Sequence, residues 1–467
     1  MRPVFVVLTI AFLATGVSRV SAQTVTAQSQ VPSAFFGGVP TGTATAEPLA
    51  LSIVDAIGRA LRYNLGIINA QRAMDRAAST REKELADLLP NVSARLAETR
   101  QKVNLAAFGF PLPAGIPSVV GPFNVFDARV HVSQAIVDLR AVNDLRAETH
   151  NRAAAEFSYK SARDLVVLVS ANAYLQALAA TARAESAQAQ LQTADALYRQ
   201  AQDLKTGGLV AGIDVVRAEV QLATERQRVT AANNASEKSK LQVARLIGLP
   251  IGQAFTLIDK LPALPVPDMT LDEALDRAYK TRPDYQAALE RVHAAEDVRR
   301  SISSESLPAF RVNADYGALG LTPGDAVGTF SVAAAVTVPV YQGGRNRARV
   351  AEADLDLKAR QSEAEDMRAG IYYEVRSAFL DLRASDEQLQ VAGRARELAA
   401  DQLTQARDRF SAGIADNIEV VQAQEAVTLA AEQYINALYG NSIAKALLAR
   451  GLGIAEEAAR LVFGKIP

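Results

Sequence analysis

TFSVAAAVTVPV, residues 329–340, is where the apolar period of this chain changes from that of a helix to two. Phe330, Val332, Ala334, Val336, Val338 and Val340 alternate with the smaller Thr329, Ser331, Ala333, Ala335 and Thr337. Just before it, Phe310, Val312, Ala314 and Tyr316 alternate with Arg311, Asn313 and Asp315. Some two hundred residues earlier, Phe126, Ala128, Val130 and Val132 alternate with Asp127, Arg129, His131 and Ser133. A weaker version, Val92, Ala94 and Leu96 against Ser93 and Arg95, precedes that. Strict alternation places one side chain set on each face of a strand. Strands of about ten residues with one apolar and one wet face suit a membrane barrel, with lipid outside and water inside. They also suit a soluble hairpin resting on a core. Charge on the second face in three of the four segments, and the lack of an obvious second layer, favour the barrel. Four strands cannot close a barrel, and an open sheet edge cannot sit in lipid. Several chains must then share one barrel, in a number that the strands themselves do not fix.

Around these strands the sequence reads as long helices. No proline occurs in residues 123–249 or 340–466, and a helix interior rarely tolerates one. Within these runs, residues 140–206 and 345–411 are expected as single helices of about 100 Å. Shorter partners follow at 213–247 and 418–452, with Gly207-Gly208 and Gly413 at the turns. Val420, Ala423, Val427, Ala431, Tyr434 and Leu438 form an apolar stripe on one short helix. Val215, Ala218, Leu222 and Val229 repeat it on the other, where Arg226 interrupts it.

The plan occurs twice. Ala56, Arg59, Ala60 and Pro90 recur as Ala274, Arg277, Ala278 and Pro308 at a shift of 218, and Gly208 and Gly248 as Gly413 and Gly453 at a shift of 205. The difference of 13 residues fits a longer Pro/Gly-rich loop at 103–122 in the first copy. Ser52-x-x-Asp55 and Thr270-x-x-Glu273 resemble capping boxes that open each copy. Helices at 66–89 and 284–307 follow, each stopped by a proline. The expected organisation is a signal peptide at 1–22, a flexible leader at 23–48, a first repeat at 49–249 and a linker at 250–268. A second repeat at 269–454 and a tail at 455–467 complete it.

Composition narrows the function classes. Lys and Arg number 50 against 51 Asp and Glu, so no basic field is present to hold nucleic acid. Cysteine is absent, which removes disulfides, thiolate metal sites and a lipidated N-terminal cysteine. Arg2, an apolar run at 4–14 and Val20-Ser21-Ala22 read as a cleavable export signal. No later stretch is expected to span a membrane as a helix. No phosphate loop, His-Glu-x-x-His pair or nucleophile elbow is found, so neither a catalytic site, a cofactor nor a metal is expected. Gly343-Gly344, ahead of a helix, reads as a strand-to-helix turn rather than an anion site.

From residue 49 to 454 the chain resembles the TolC-like outer-membrane efflux family. The resemblance rests on LSIVDAI and LDEAL, the helix ends at Pro90 and Pro308, VPVYQGGR at 338–345, and the turns GLVAGIDVVRAE (208–219) and AGIADNIEVVQAQ (412–424). It implies a mostly α fold with a small β portion, in which an α-barrel of long helices continues into a membrane β-barrel with four strands per chain. It further implies a homotrimer in the outer membrane of a Gram-negative bacterium, reaching into the periplasm. There a periplasmic adaptor would join it to an inner-membrane pump, and the duct would serve efflux or type I secretion. By the same resemblance Glu419, Gln422, Asp416 and Asp214 are candidates to line the closed periplasmic tip. Gly208, Leu209, Val210, Ala211, Gly413, Ile414 and Ala415 are candidates to meet the adaptor. On the alternation, Asp127, Arg129, Arg311 and Asp315 would face the barrel lumen. The competing reading is a soluble periplasmic coiled-coil adaptor or scaffold.

Overall fold

The computed structural model describes residues 33–109, 115, 117–259, 269–412, 414 and 417–463. The expected signal peptide, the first part of the leader (23–32) and the end of the linker (260–268) lie outside the described residues. In chain order the elements are β1 (Leu49–Leu51), α1 (Ile53–Tyr63), α2 (Leu65–Ala86), β2 (Asn91–Asn104) and β3 (Val119–Val137). Next come α3 (Leu139–Thr206), α4 (Gly212–Leu246), β4 (Phe255–Leu257), α5 (Leu271–Thr281) and α6 (Pro283–Ser304). The chain continues through β5 (Ala309–Gly320), β6 (Val327–Thr337), α7 (Arg345–Ser411), α8 (Asn417–Gly451) and α9 (Ala455–Phe463).

The long helices form as the proline pattern requires: α3 has 68 residues, α7 has 67, and α4 and α8 have 35 each. Both capping boxes are present, with Ser52 and Thr270 accepting from the backbones of Asp55 and Glu273. At the other end of each repeat Gly248 and Gly453 adopt φ of 63° and 68°. A Cβ on Gly248 would stand 2.6 Å from the Val39 carbonyl oxygen, and one on Gly453 2.8 Å from the Arg282 Cα, so both copies need glycine there.

The helices pack side by side in the same sequence as the strands they lead into. Contacts run α2 to α3, α3 to α6 and α6 to α7, while the sheet is ordered β2-β3-β5-β6 and antiparallel throughout. At the junction Glu305, just past α6, bridges Arg140 on α3 at 3.1 Å and Arg349 on α7. Below it, α4 and α8 complete two hairpins with α3 and α7.

A core of buried residues lies midway along the long helices. A parallel pair, β1 with β4, joins the start of the first repeat to the linker that follows it, and Tyr174 on α3 donates to the Leu51 carbonyl and to Asp259 Oδ2, both at 2.8 Å. Residues 165–182 of α3 carry no charge, and α3 is long and apolar enough to pass for a membrane span, contrary to expectation. Most of its apolar window is buried in this core, with Val166, Tyr174 and Ala177 fully covered, so its apolarity serves packing. Residues 455–463, expected as tail, form α9 instead. It docks on α3 through a paired contact of Arg163 with Glu456 at 2.7 and 2.9 Å.

Candidate functional site: the sheet faces and the helical tip

Residues opposite one another across antiparallel strands share a face. Asp127, Arg129, His131 and Ser133 of β3 lie opposite Ala97, Arg95, Ser93 and Asn91 of β2 on one side, and Leu319, Gly317, Asp315 and Asn313 of β5 on the other. Arg129 donates to Asp127 at 2.6 Å and to Asp315 at 3.0 Å, and the Ser133 hydroxyl donates to Asn313 Oδ1 at 2.7 Å. Three of the four expected lumen residues therefore form one ion cluster. Arg311 is on the same face, nearer the helices, opposite Ala135 and Ala335. Gly317 lets this cluster close up, because a Cβ there would stand 2.1 Å from the Ala128 carbonyl oxygen.

The other face carries Val92, Ala94, Leu96, Val130, Val132, Tyr316, Phe330, Val332 and Val336, and none of the described residues of the protomer covers it. Phe330 is 77% exposed and Val332 69%. The outer edges of β2 and β6 have no strand partner among the described residues. An uncovered apolar face and two open edges are unsatisfied in water.

At the far end, α3 turns into α4 through Gly208, whose φ of 74° suits glycine and closes the helix by a bond from the Leu209 N–H to the Leu204 carbonyl. Leu209 and Ile414 project from the two turns, 75% and 72% exposed, while Ala211 is exposed and Val210 packs on the cluster of Leu197, Leu403, Phe410 and Val420. Asp214 pairs with Arg217 at 3.2 Å, and its carbonyl accepts from Asn417 Nδ2 at 2.9 Å, which ties the two turns together. Glu419 is half-buried and pairs with Arg409 at 3.3 Å; Gln422 is exposed one turn on. Gly413, Ala415 and Asp416 lie outside the described residues.

The stripe on α4 hides a group that its apolar pattern conceals. Arg226 points to solvent, while its neighbour Glu225 is fully buried against α3 and α8. Glu225 Oε1 accepts from Arg228 at 2.7 Å and Gln221 at 2.8 Å, but Oε2 is buried without a hydrogen-bond partner. Next to it Gln424 Nε2 donates to Gln190 Oε1. Burial pushes the Glu225 carboxyl above the usual carboxylate range, Arg228 and Gln221 oppose this, and Glu425 adds to it. A raised folded pKa means that the favourable contribution is complete in acid and fades as pH rises through the folded value. Glu225→Gln, which keeps the shape and removes the charge, should therefore raise the thermal midpoint at pH 8 and flatten its dependence above about pH 5. Melting curves followed by helical circular dichroism would test this; a slope equal to that of the wild type would contradict it.

Among the described residues no three His, Asp or Glu side chains are grouped to hold a metal ion. His150 and His293 meet across α3 and α6 with centroids 5.4 Å apart, and His150 Nδ1 is 2.6 Å from Glu290.

Comparison with known proteins places this geometry among channels. Residues 56–249 and 274–453 match the outer membrane efflux protein family, one segment per repeat. The outer membrane protein TolC of Escherichia coli strain K12 is 24% identical over 358 residues, covering 72% of this chain and 70% of its own. The outer membrane channel CmeC of Campylobacter jejuni superposes with a TM-score of 0.74 at 17% identity, covering 86% of each chain. The open state of the Neisseria gonorrhoeae channel MtrE gives 0.74 at 18% identity, covering 89% of this chain and 94% of the other.

Proposed function

The chain belongs to the outer membrane efflux protein family, and from that premise we propose that three copies join into one passive exit duct, fed by an inner-membrane pump through a periplasmic adaptor. The protein is an efflux channel of the outer membrane whose helices extend into the periplasm. The family is one of channels, and no catalytic residue is assigned.

The observation that carries the assembly is the sheet. Three copies with four strands each supply a twelve-strand wall, and joining β6 of one copy to β2 of the next removes both open edges. The apolar face then meets lipid, and the Arg129 cluster meets water in the lumen. The helices support the same head-to-tail contact. On one flank α7 exposes Leu355, Tyr373, Leu380, Val391 and Leu398, spaced mostly by 7 and 11 residues and so on one side of the helix. On the other flank α4 exposes Ile213, Val216 and Val220. A heterologous contact repeated about one axis closes into a ring. The soluble-scaffold reading leaves the apolar face in water. Fractionation separates the two: the channel requires detergent for extraction and runs as a trimer, whereas recovery as a soluble periplasmic monomer refutes it.

The helix turns form the end of the duct that meets the adaptor, with Leu209 and Ile414, and Gly208, Val210, Ala211, Gly413 and Ala415 around them, as its apolar surface. Glu419, repeated about the axis, forms an acidic ring that attracts cations, with Gln422, Asp214 and Asp416 near it. Arg409 offsets part of that charge. Glu419→Ala should weaken block by divalent cations in planar-bilayer recordings, and unaltered currents would remove Glu419 from the lining.

A further inference from the structure

The first hairpin is longer than the second, and the excess changes character. β5 reaches only to Gly320, opposite Phe126, so beyond that point β2 and β3 continue alone as a two-stranded ribbon. Residues 98–104 and 119–125 form it, about 20 Å along the strands and at the end away from the helices. Where the ribbon leaves the sheet, charge moves to the outer face and the β3 side of the inner face turns apolar. On the lipid-facing side Val92, Ala94 and Leu96 give way to Glu98, Arg100 and Lys102 on β2, and Phe126 to Asn124 on β3. On the lumen side Ser133, His131, Arg129 and Asp127 of β3 give way to Val125 and Phe123, opposite the uncharged Thr99 and Gln101 of β2. The second hairpin follows suit at its outer end. Leu319, on the lumen face opposite Asp127, pairs with Val327, which is 68% exposed at the free edge of β6.

An outward face that turns charged is one that has left lipid for water. An inward face that loses its charges and turns Val125 and Phe123 toward the mouth of a duct gains from a cover, because water fills that mouth. The ring supplies one. Val327 sits on the strand that would join the next copy's β2, so the apolar end of one copy's second hairpin adjoins the next copy's ribbon. The ribbon can lean inward, since its ladder shifts register between Gln101 and Val103, and such irregularities bend a strand.

Resting on the ring assembly proposed above, we propose that the ribbon of each copy folds its Phe123–Val125 side over the outer mouth onto Leu319 and Val327 of the neighbouring copy, so that the exit is narrowed from outside by the channel's own strands. The contact is apolar and its outer surface, with Arg100 and Lys102, remains wet.

The absence of cysteine allows a clean test. In outer-membrane vesicles of the full chain, Val125→Cys with Val327→Cys, treated with a short bismaleimide, should give covalently linked dimers and trimers on denaturing gels. Arg100→Cys with Val327→Cys, which places the first thiol on the opposite side of the ribbon, should give far fewer. Linked bands of equal strength in both pairs, or none in either while detergent extracts still run as trimers, would overturn the ribbon contact and leave the ring standing. Extracts running as monomers would overturn ring and contact together. As a second readout, Val125→Asp should raise single-channel conductance, and a conductance equal to that of the wild type would count against narrowing.

Discussion

Val332→Arg will strip the channel from the membrane, while Ser331→Arg, one residue earlier on the same strand, will leave it in place. Val332 lies opposite Ala314 within the apolar run of β6, between Phe330 and Val336, and is 69% exposed in the protomer. In the barrel proposed above this surface faces hydrocarbon. An arginine on the lipid face costs about 2–4 kcal/mol near the bilayer centre, and ring symmetry imposes that cost once per copy. Ser331 lies opposite Asp315, part of the ion cluster on the wet face, where a guanidinium is solvated and finds a carboxylate. The measurement is the fraction of protein recovered as heat-resistant oligomer from outer membranes. Equal recovery of the two variants would mean that the faces of the sheet are misassigned.

Arg282→Ala will unfasten the second repeat midway along the molecule. Arg282 is only 5% exposed, clamps Asp284 at 2.6 and 3.1 Å and reaches Glu374 on α7 at 2.5 Å. Its backbone also lies against Gly453, so it joins α5, α6, α7 and the end of α8. Removing one partner of a fully buried pair typically costs about 3–5 kcal/mol, and the cost here is smaller because Asp284 is 27% and Glu374 54% exposed, so solvent screens the charges left behind. The pH dependence should flatten as well. Burial raises the Asp284 carboxyl, but Arg282, by hydrogen bonds and charge, together with the Tyr285 N–H and Arg450, outweighs burial and holds it below the usual range. A lowered folded pKa contributes stability above the unfolded value, which is lost as pH falls through the folded one. Without Arg282 only the Tyr285 N–H and Arg450 oppose burial, and the variant should lose less stability than the wild type as pH falls from about 7 to 4. Thermal midpoints of both proteins across that range test the flattening, and parallel curves would contradict it. Position 64, which is 218 residues earlier, carries Asn64 in place of arginine. It holds the first repeat with neutral bonds to the Phe35 carbonyl and the Gly66 N–H, both at 2.8 Å, so Asn64→Ala should show no such change in pH dependence.

The linear sequence determined the parts of this protein whose causes are local. Proline exclusion set the long helices to within one or two residues of their ends, capping boxes and positive-φ glycines marked the starts and stops of each repeat, and strict alternation divided the strands into a greasy and a wet face. Each of these signals acts within a few residues of itself, so a single chain displays it. The outer reach of the first hairpin was less legible. Residues 103–122 look like a loop because they are rich in proline and glycine, yet β3 begins at Val119, and Pro122 fits at the register shift where no β5 lies alongside. Nor does the apolar stripe of α4 reveal that Glu225 rather than Arg226 turns inward, since that depends on how α4 sits against α3 and α8. The tertiary structure alone decided that Arg129, Asp127 and Asp315 meet across nearly two hundred residues, that the uncharged run of α3 is core rather than membrane, and that the sheet ends in two unpaired edges. These depend on which surfaces remain after the chain has packed on itself. Close contacts between distant residues leave no periodic trace in sequence, and a missing partner becomes visible only once every other neighbour has its place.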